Sequence, residues 1–200
     1  MRHEYIDMNE QLFKYLENNS KLTQEEIEHI CSTFQEKGIK KNEFWIKQDK
    51  YNNDLVFMCT GILRVFHEYE GDEITIQFIL PNSFAIPLSS FVNNSKSLLN
   101  YQAVTDCGFL LVDKDVHHKV MFKYAKAFDL SNNYYLKAYA DLESKFLSLL
   151  HLNAEQRFQK LFSEQPQIFN LVPLKHIAST LGITAETLSR LRKKTNKLIS

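Results

Sequence analysis

Residues 172–194, VPLKHIASTLGITAETLSRLRKK, restrict the chain locally to two short helices joined by a tight turn. Pro173 fits a first helical turn, where its missing N–H costs nothing. Ile177 and Leu181 give that helix an apolar edge. Gly182 stands where the chain must change direction, and glycine tolerates φ > 0 there. Thr184 is placed to cap a second helix, whose apolar edge is Leu188 and Leu191. Ala178, four residues before the glycine, lets the two helices approach closely. Small residue, turn glycine and apolar positions at these offsets describe a helix-turn-helix.

With about 100° per residue, Leu188 and Leu191 turn inward, and Glu186, Arg190, Lys193 and Lys197 line the opposite side with Ser189 beside them. A helix of this width enters the DNA major groove. Arg190 suits the two guanine acceptors, and Glu186 suits the cytosine amino group. Lys175, Ser189, Lys193 and Lys197 suit phosphates. Read in isolation, Glu186 and Arg190 are an exposed i,i+4 ion pair worth ~0.2–0.5 kcal/mol.

Charge separates along the chain. It carries 24 basic and 24 acidic side chains, yet residues 171–200 hold six basic residues against the single acid Glu186. That segment is +5 and the first 170 residues are −5. A basic tip on an acidic body is the polarity of a chain that meets a polyanion at one end. Fifteen Phe, nine Tyr and 44% hydrophobic residues supply a real core. Cys31, Cys59 and Cys107 are far apart and form no C-x-x-C pair, so reduced, buried thiols and a cytoplasmic location are expected. No apolar run approaches a membrane span, and no secretory signal is read at the start.

Residues 8–17 read as a helix. Thr23-Gln24-Glu25-Glu26 is a capping box opening another. From about Phe34 the period shortens to two. Ile74, Ile76, Phe78 and Leu80 alternate with polar residues and pair, through Glu70-Gly71-Asp72, with residues 62–69. Short runs at 43–47, 54–60, 100–105 and 108–112 complete an antiparallel barrel or roll. Residues 123–152 contain no Gly or Pro and carry two apolar stripes, Phe128, Tyr135, Ala138, Leu142 and Leu149, and Leu136, Tyr139, Phe146 and Leu150. One edge is expected to pack on the strands and the other on a second copy of the chain. Asn153, with Gln156 three residues on, caps the helix after a hinge near Leu152.

The order helix, roll, long helix, helix-turn-helix resembles the cyclic-AMP receptor protein and fumarate–nitrate reduction regulator (Crp/Fnr) family of bacterial transcription factors over nearly the whole chain. The resemblance is most specific in residues 177–190, IASTLGITAETLSR, against a family pattern I-A-x-x-L-G-[IVC]-[ST]-x-E-T-[LV]-[SG]-R. It implies an α+β fold: an N-terminal antiparallel β-roll like a cyclic-nucleotide-binding domain (1–122), a dimerisation helix (123–152) and a C-terminal helix-turn-helix DNA-binding domain (153–200). It implies a homodimer on a near-palindromic DNA site and admits RNA polymerase as a further partner. By that match Glu186, Thr187 and Arg190 occupy positions where the family contacts DNA. With Lys175, Thr184, Ser189, Lys193, Lys194 and Lys197, read from the helix faces and charge, they make up the expected DNA side, and Phe128, Tyr135, Ala138, Leu142 and Leu149 the expected dimer helix. Ala185 departs from the pattern, because several members carry a guanine-reading arginine there. The family's nucleotide cassette, F-[GA]-E-…-R-[ST]-A, aligns without gaps on residues 82–103. Phe84 stands within it, but the glutamate slot holds Pro87, the arginine slot Ser97 and the next slot Leu98. A buried cyclic phosphate would have no counter-charge, so no response to cyclic AMP is expected. The family's two-stranded wing after the recognition helix is also expected to be lost or vestigial.

No cofactor is expected. Three cysteines cannot supply the four thiolates of an iron–sulfur cluster, and the haem pairs open to His67 with His117 or His118 have no support beyond the presence of histidines. A metalloenzyme on a cupin-like roll needs converging His or acid ligands, yet the strand region carries only His67. Two readings remain beside the DNA-binding regulator: a roll that holds an apolar ligand among Phe84, Ile86, Leu88, Phe91 and Leu98, and a roll that binds a protein partner with DNA binding secondary.

Overall fold

The computed structural model describes residues 7–199, with side chains through Lys194, so Lys197 lies outside the described side chains. The chain divides into two compact units. One comprises residues up to Val65 together with Phe78–Tyr135, and the other Phe66–Gln77 together with residues from Leu136 onward.

The first unit opens with two capped helices. The Asp7 carboxylate accepts from the N–H groups of Asn9 and Glu10 at the start of α1 (Met8–Asn19). Thr23 and Glu26 form the expected capping box of α2 (Gln24–Cys31). Eight strands follow in the chain: β1 (Gln35–Ile39), β2 (Phe44–Ile46), β3 (Asp54–Thr60), β4 (Leu63–Tyr69), β5 (Asp72–Ile79), β6 (Ser83–Ala85), β7 (Asn100–Ala103) and β8 (Cys107–Asp113). They form two four-stranded sheets, ordered β1-β8-β3-β6 and β2-β7-β4-β5. In β3, Val56 and Met58 enter the roll interior with Leu63, Val65, Tyr101 and Phe109. Phe57 and Cys59 face the other way, onto Leu12, Leu16, Ile27 and Ile30 of the two helices. A strand covered on both faces has no polar alternation, which is why β3 reads as a continuous apolar run.

Two strands carry no periodic signal in the sequence. β1 and β6 are the edges of their sheet. β1 is exposed over most of its length, and β6 has only three residues. Short or polar edge strands are how sheets avoid pairing with other chains, so their weak signal has a cause. The thiols of Cys31, Cys59 and Cys107 are buried and unpaired. Burial pushes them up to about 11, 12 and 11 respectively, which keeps them protonated and unreactive.

Gly61 joins β3 to β4 with φ +83, and a Cβ there would lie 2.3 Å from the Asp106 carbonyl oxygen and 2.8 Å from Cys107 Cα. Neither atom can yield without moving backbone. Gly61→Ala is therefore expected to destabilise the first unit by about 2–4 kcal/mol or more, through positive φ and overlap together. Urea unfolding would check this, and an unchanged midpoint would contradict it.

The long helix expected over residues 123–152 is α5 (Ala125–His151), and a separate α4 (Lys114–Lys123) precedes it, with the break at Tyr124. Tyr124 takes an extended backbone, φ −123 and ψ 105. Its ring packs edge-on to His29, and its hydroxyl lies 3.2 Å from His29 Nδ1, so tertiary packing overrides the local helical preference.

The expected division of α5 into a strand-packing edge and a partner edge also needs correction. Phe128, Leu136, Tyr139, Leu142, Phe146, Leu149 and Leu150 are all exposed. At helical spacing Phe128, Tyr135, Leu142 and Leu149 recur every seven residues, with Tyr139 and Phe146 four after Tyr135 and Leu142. These six residues, drawn from both stripes, fall at heptad spacing. A third line, through buried Ala127 and half-buried Ser131, Tyr134, Ala138 and Lys145, faces the chain itself. Its small and polar members gave no apolar periodicity. Ala138 belongs to that inward line and not to the exposed seam, and Tyr135 is half-buried between them.

Candidate nucleic-acid interface

After α5, Asn153 and Gln156 make a second capping box at the start of α6 (Ala154–Glu164), as their spacing predicts. A short α7 (Ile168–Leu171), α8 (Leu174–Thr180) and α9 (Ala185–Ile199) follow. Their core is a mutual aromatic cluster: Phe158 to Phe169 at 5.5 Å between ring centroids, Phe162 to Phe169 at 5.2 Å, and Phe158 to Phe162 at 5.9 Å. Ile177, Ala178, Leu181 and Leu188 are buried from α8, the turn and α9.

The turn closes by identifiable bonds. Ile183 N–H donates to the Ala178 carbonyl at 3.1 Å, and Gly182 N–H to the Ser179 carbonyl at 3.1 Å. This is a Schellman ending, with Gly182 in the left-handed position at φ +63. Thr184 Oγ1 then accepts the Thr187 N–H at 3.2 Å and caps α9. Pro173 sits one residue ahead of the expected first turn, as the N-cap of α8. Arg157 was not singled out from the sequence. Its guanidinium donates to the carbonyls of Leu181 at 3.0 Å and Leu152 at 2.6 Å, which fastens the turn and the end of the long helix to α6.

Glu186, Arg190 and Lys193 are exposed on α9 over the buried Leu188, with Ser189 half-buried beside them. The bland alternative of a Glu186–Arg190 ion pair is not what forms among the described residues. Arg190 Nη2 donates instead to Thr187 Oγ1 at 3.3 Å, and Thr187 Oγ1 lies 3.0 Å from Thr184 Oγ1. A hydroxyl relay along the first turn therefore orients the guanidinium. Lys175 is exposed in the first turn of α8. Lys194 is paired with Glu155 of α6 at 2.7 Å, so any phosphate contact by it requires exchanging that partner. Such an exposed pair is worth at most about 1 kcal/mol, which makes the exchange easy.

The outer half of the β4–β5 hairpin belongs to the same unit as these helices. Ser179, on α8, accepts the Thr75 N–H at 2.9 Å and donates to the Glu73 carbonyl at 3.0 Å. This docking explains a departure from the expected alternation in β5. Thr75 is buried, whereas Ile74, expected to face inward, is half exposed at 51%. Lys145 of α5 donates to the Ile76 carbonyl. Burial lowers the Lys145 ammonium to about 8, with the Glu164 carboxylate opposing the shift. Neither Ser179 nor Lys145 could be found by motif, because their partners are backbone atoms about a hundred and about seventy residues away in sequence.

In the other unit, the cassette-like segment contains no anion partner at the expected slots. Pro87 is the N-cap of α3 (Leu88–Asn93). Ser97 is buried, and its hydroxyl is spent on the Leu99 carbonyl at 2.8 Å. Leu98 is 63% exposed. Of the five apolar residues offered as a ligand pocket, Leu88 and Leu98 are exposed, and Phe84 and Ile86 pack with Phe91 in a filled cluster around Leu55 and Val112. Only Phe84 and Ile86 reach a cavity, of about 60 Å³, shared with Leu12, Leu16, Val120 and Leu130. Among the described residues no three His, Cys, Asp or Glu side chains gather as a metal site, and no helix is long and apolar enough to cross a membrane.

No family model and no curated protein matches the chain by sequence. Solved structures do match. FixK2 from Bradyrhizobium japonicum aligns with a TM-score of 0.73 at 18% identity, over 82% of this chain and 85% of that one. A transcriptional regulator of the crp/fnr family from Eubacterium rectale gives 0.68 at 16% identity, over 92% and 88%. A variant of CooA from Carboxydothermus hydrogenoformans gives 0.66 at 18% identity, over 94% and 85%. This chain has the Crp/Fnr fold. A match over 94% of the chain takes in parts of the roll, the long helix and the helix-turn-helix alike. At these identities the likeness establishes architecture, and what the site reads must be argued from its own residues.

Proposed function

We propose that this chain is a homodimeric, sequence-specific DNA-binding transcription regulator. The observation that carries the reading is the exposed row Glu186, Arg190 and Lys193 on α9, set over the buried Leu188 in a helix-turn-helix. α9 enters the major groove, where Arg190 addresses guanine and Glu186 addresses cytosine. Lys175, Ser189, Lys193 and Lys197 address phosphates, as does Lys194 once released from Glu155, while Thr184 and Thr187 organise the helix start and hold Arg190. The exposed heptad seam of α5 joins two chains, so that two recognition helices meet DNA about one turn, ~34 Å, apart. Residues 123–152 are the dimerising segment and 153–200 the reading head.

Selection of bound duplexes from a random pool by the purified protein tests this directly. The expected product is a near-palindrome whose affinity falls steeply with salt, because phosphate contacts release counterions. A pool that shows no enrichment in dilute buffer would remove the proposal.

The roll is not a cyclic-nucleotide receptor in this reading. Pro87, buried Ser97 and exposed Leu98 supply neither a ribose acceptor nor a phosphate counter-charge, and burying an unpaired anion costs several kcal/mol. Titration calorimetry with cyclic AMP and cyclic GMP is expected to show no heat of binding. Micromolar affinity for either would overturn this part alone.

A further inference from the structure

Ser179 occupies the middle of the outward face of α8. Ile177, Ala178 and Leu181 define the buried side, and at about 100° per residue Lys175 and Ser179 fall together on the opposite one. In a helix-turn-helix docked on DNA, the first helix crosses the phosphate backbone. Here Ser179 on that face is bonded to the β4–β5 hairpin, while Lys175 stays exposed. The Ser179 hydroxyl imitates one residue of a neighbouring strand: it accepts from the Thr75 N–H at 2.9 Å and donates to the Glu73 carbonyl at 3.0 Å. β5 is an edge strand of its sheet. Lys145 adds a second hold through the Ile76 carbonyl.

The end of that hairpin is rich in acidic residues. Glu68, Glu70, Asp72 and Glu73 are four acids within six residues, all exposed at the hairpin end. They stand on the same compact unit as Lys175 and the basic α9. Clusters of one charge sign beside a polyanion site repel it over roughly a Debye length, ~8–10 Å at physiological salt.

Resting on the DNA-binding reading above, we infer that the β4–β5 hairpin is an autoinhibitory clasp: it seats an acidic tip on the backbone-facing side of α8 through Ser179 and must lift for duplex to bind. The clasp competes with phosphate for the same helix face. Free protein is closed and DNA-bound protein is open, so anything that weakens the Ser179 bonds or the tip charge raises DNA affinity.

The test compares three proteins on one duplex enriched by selection: wild type, Ser179→Ala, and a tip variant carrying Glu70→Gln, Asp72→Asn and Glu73→Gln. Ser179→Ala removes two hydrogen bonds and is expected to bind roughly fivefold or more tightly than wild type. The tip variant is expected to bind more tightly as well, with its advantage shrinking as salt rises. Hydrogen exchange supplies a readout independent of affinity. The Thr75 amide should be protected in free wild type, and should exchange faster in Ser179→Ala and in the wild-type DNA complex. Equal or weaker binding by both variants, or a Thr75 amide equally protected with and without DNA, overturns the clasp while leaving DNA binding intact. A chain that binds no duplex in any of the three forms overturns the DNA reading, and the clasp with it.

Discussion

Leu142→Glu with Phe146→Glu should convert the protein into a folded monomer whose affinity for its selected duplex is lower by two to three orders of magnitude. Both side chains are exposed on the single chain, at 58% and 60%, so their replacement removes nothing from either unit's core. What it removes is the centre of the heptad seam, where Tyr135, Tyr139 and Leu149 flank them at coiled-coil spacing. Two glutamates on each of two facing helices place like charges in a desolvated interface, which costs several kcal/mol. Loss of the dimer converts a tethered second half-site contact into an independent one. For closely joined modules that effective concentration is of millimolar order, and losing it accounts for a fall of about 10²–10³ in avidity. Sedimentation equilibrium and fluorescence anisotropy on the same samples check both halves of the claim. A wild type that sediments as a monomer, or a double variant that stays dimeric, contradicts the assignment of the seam.

The parts of this molecule that were legible in its sequence are those whose physics is local. Thr23–Glu26 and Asn153–Gln156 cap helices through bonds three residues long, and both boxes form as read. Gly182 and Thr184 likewise specify the turn by their own backbone preferences. The alternation read in β5 buries Phe78 but misses Ile79, which packs in the roll interior, and it fails at Ile74 and Thr75, where a helix from much later in the chain docks. The start of the long helix lies two residues later than read, at Ala125, for the same reason, since Tyr124 packs on His29. For the site, the exposed row on α9 followed from helical period alone. The features that restrain it, Arg157 on the Leu181 carbonyl and Ser179 on β5, bind backbone atoms, and a backbone acceptor leaves no residue type behind to be read. α5 shows a further limit: Ala138 was read in an exposed stripe and one apolar stripe was expected on the strands, because the inward line through Ser131, Ala138 and Lys145 is not apolar.

Arg190→Ala is expected to abolish sequence discrimination while leaving most non-specific affinity in place. A bidentate arginine on guanine is worth about 1–3 kcal/mol against the wrong base, and a symmetric dimer uses two, so specific affinity should fall by roughly 30-fold to 10⁴-fold. The charge removed is one among six basic residues in the last thirty, so binding to random duplex in dilute buffer should fall far less. Arg190→Lys separates geometry from charge: it keeps the cation but loses the planar fork, and should recover non-specific binding without recovering discrimination. The hydroxyl relay adds an intermediate case. Thr187 Oγ1 accepts from Arg190 at 3.3 Å and so limits the orientations the guanidinium samples before it meets a base. Thr187→Val keeps the helix-start shape, removes that acceptor, and should weaken specific binding by a smaller factor in the same direction. Competition binding with the selected duplex and with a scrambled one gives both affinities for each variant. Equal losses on the two duplexes for Arg190→Ala would mean that the guanidinium meets phosphate, and the base-reading role would pass to Glu186 and its neighbours.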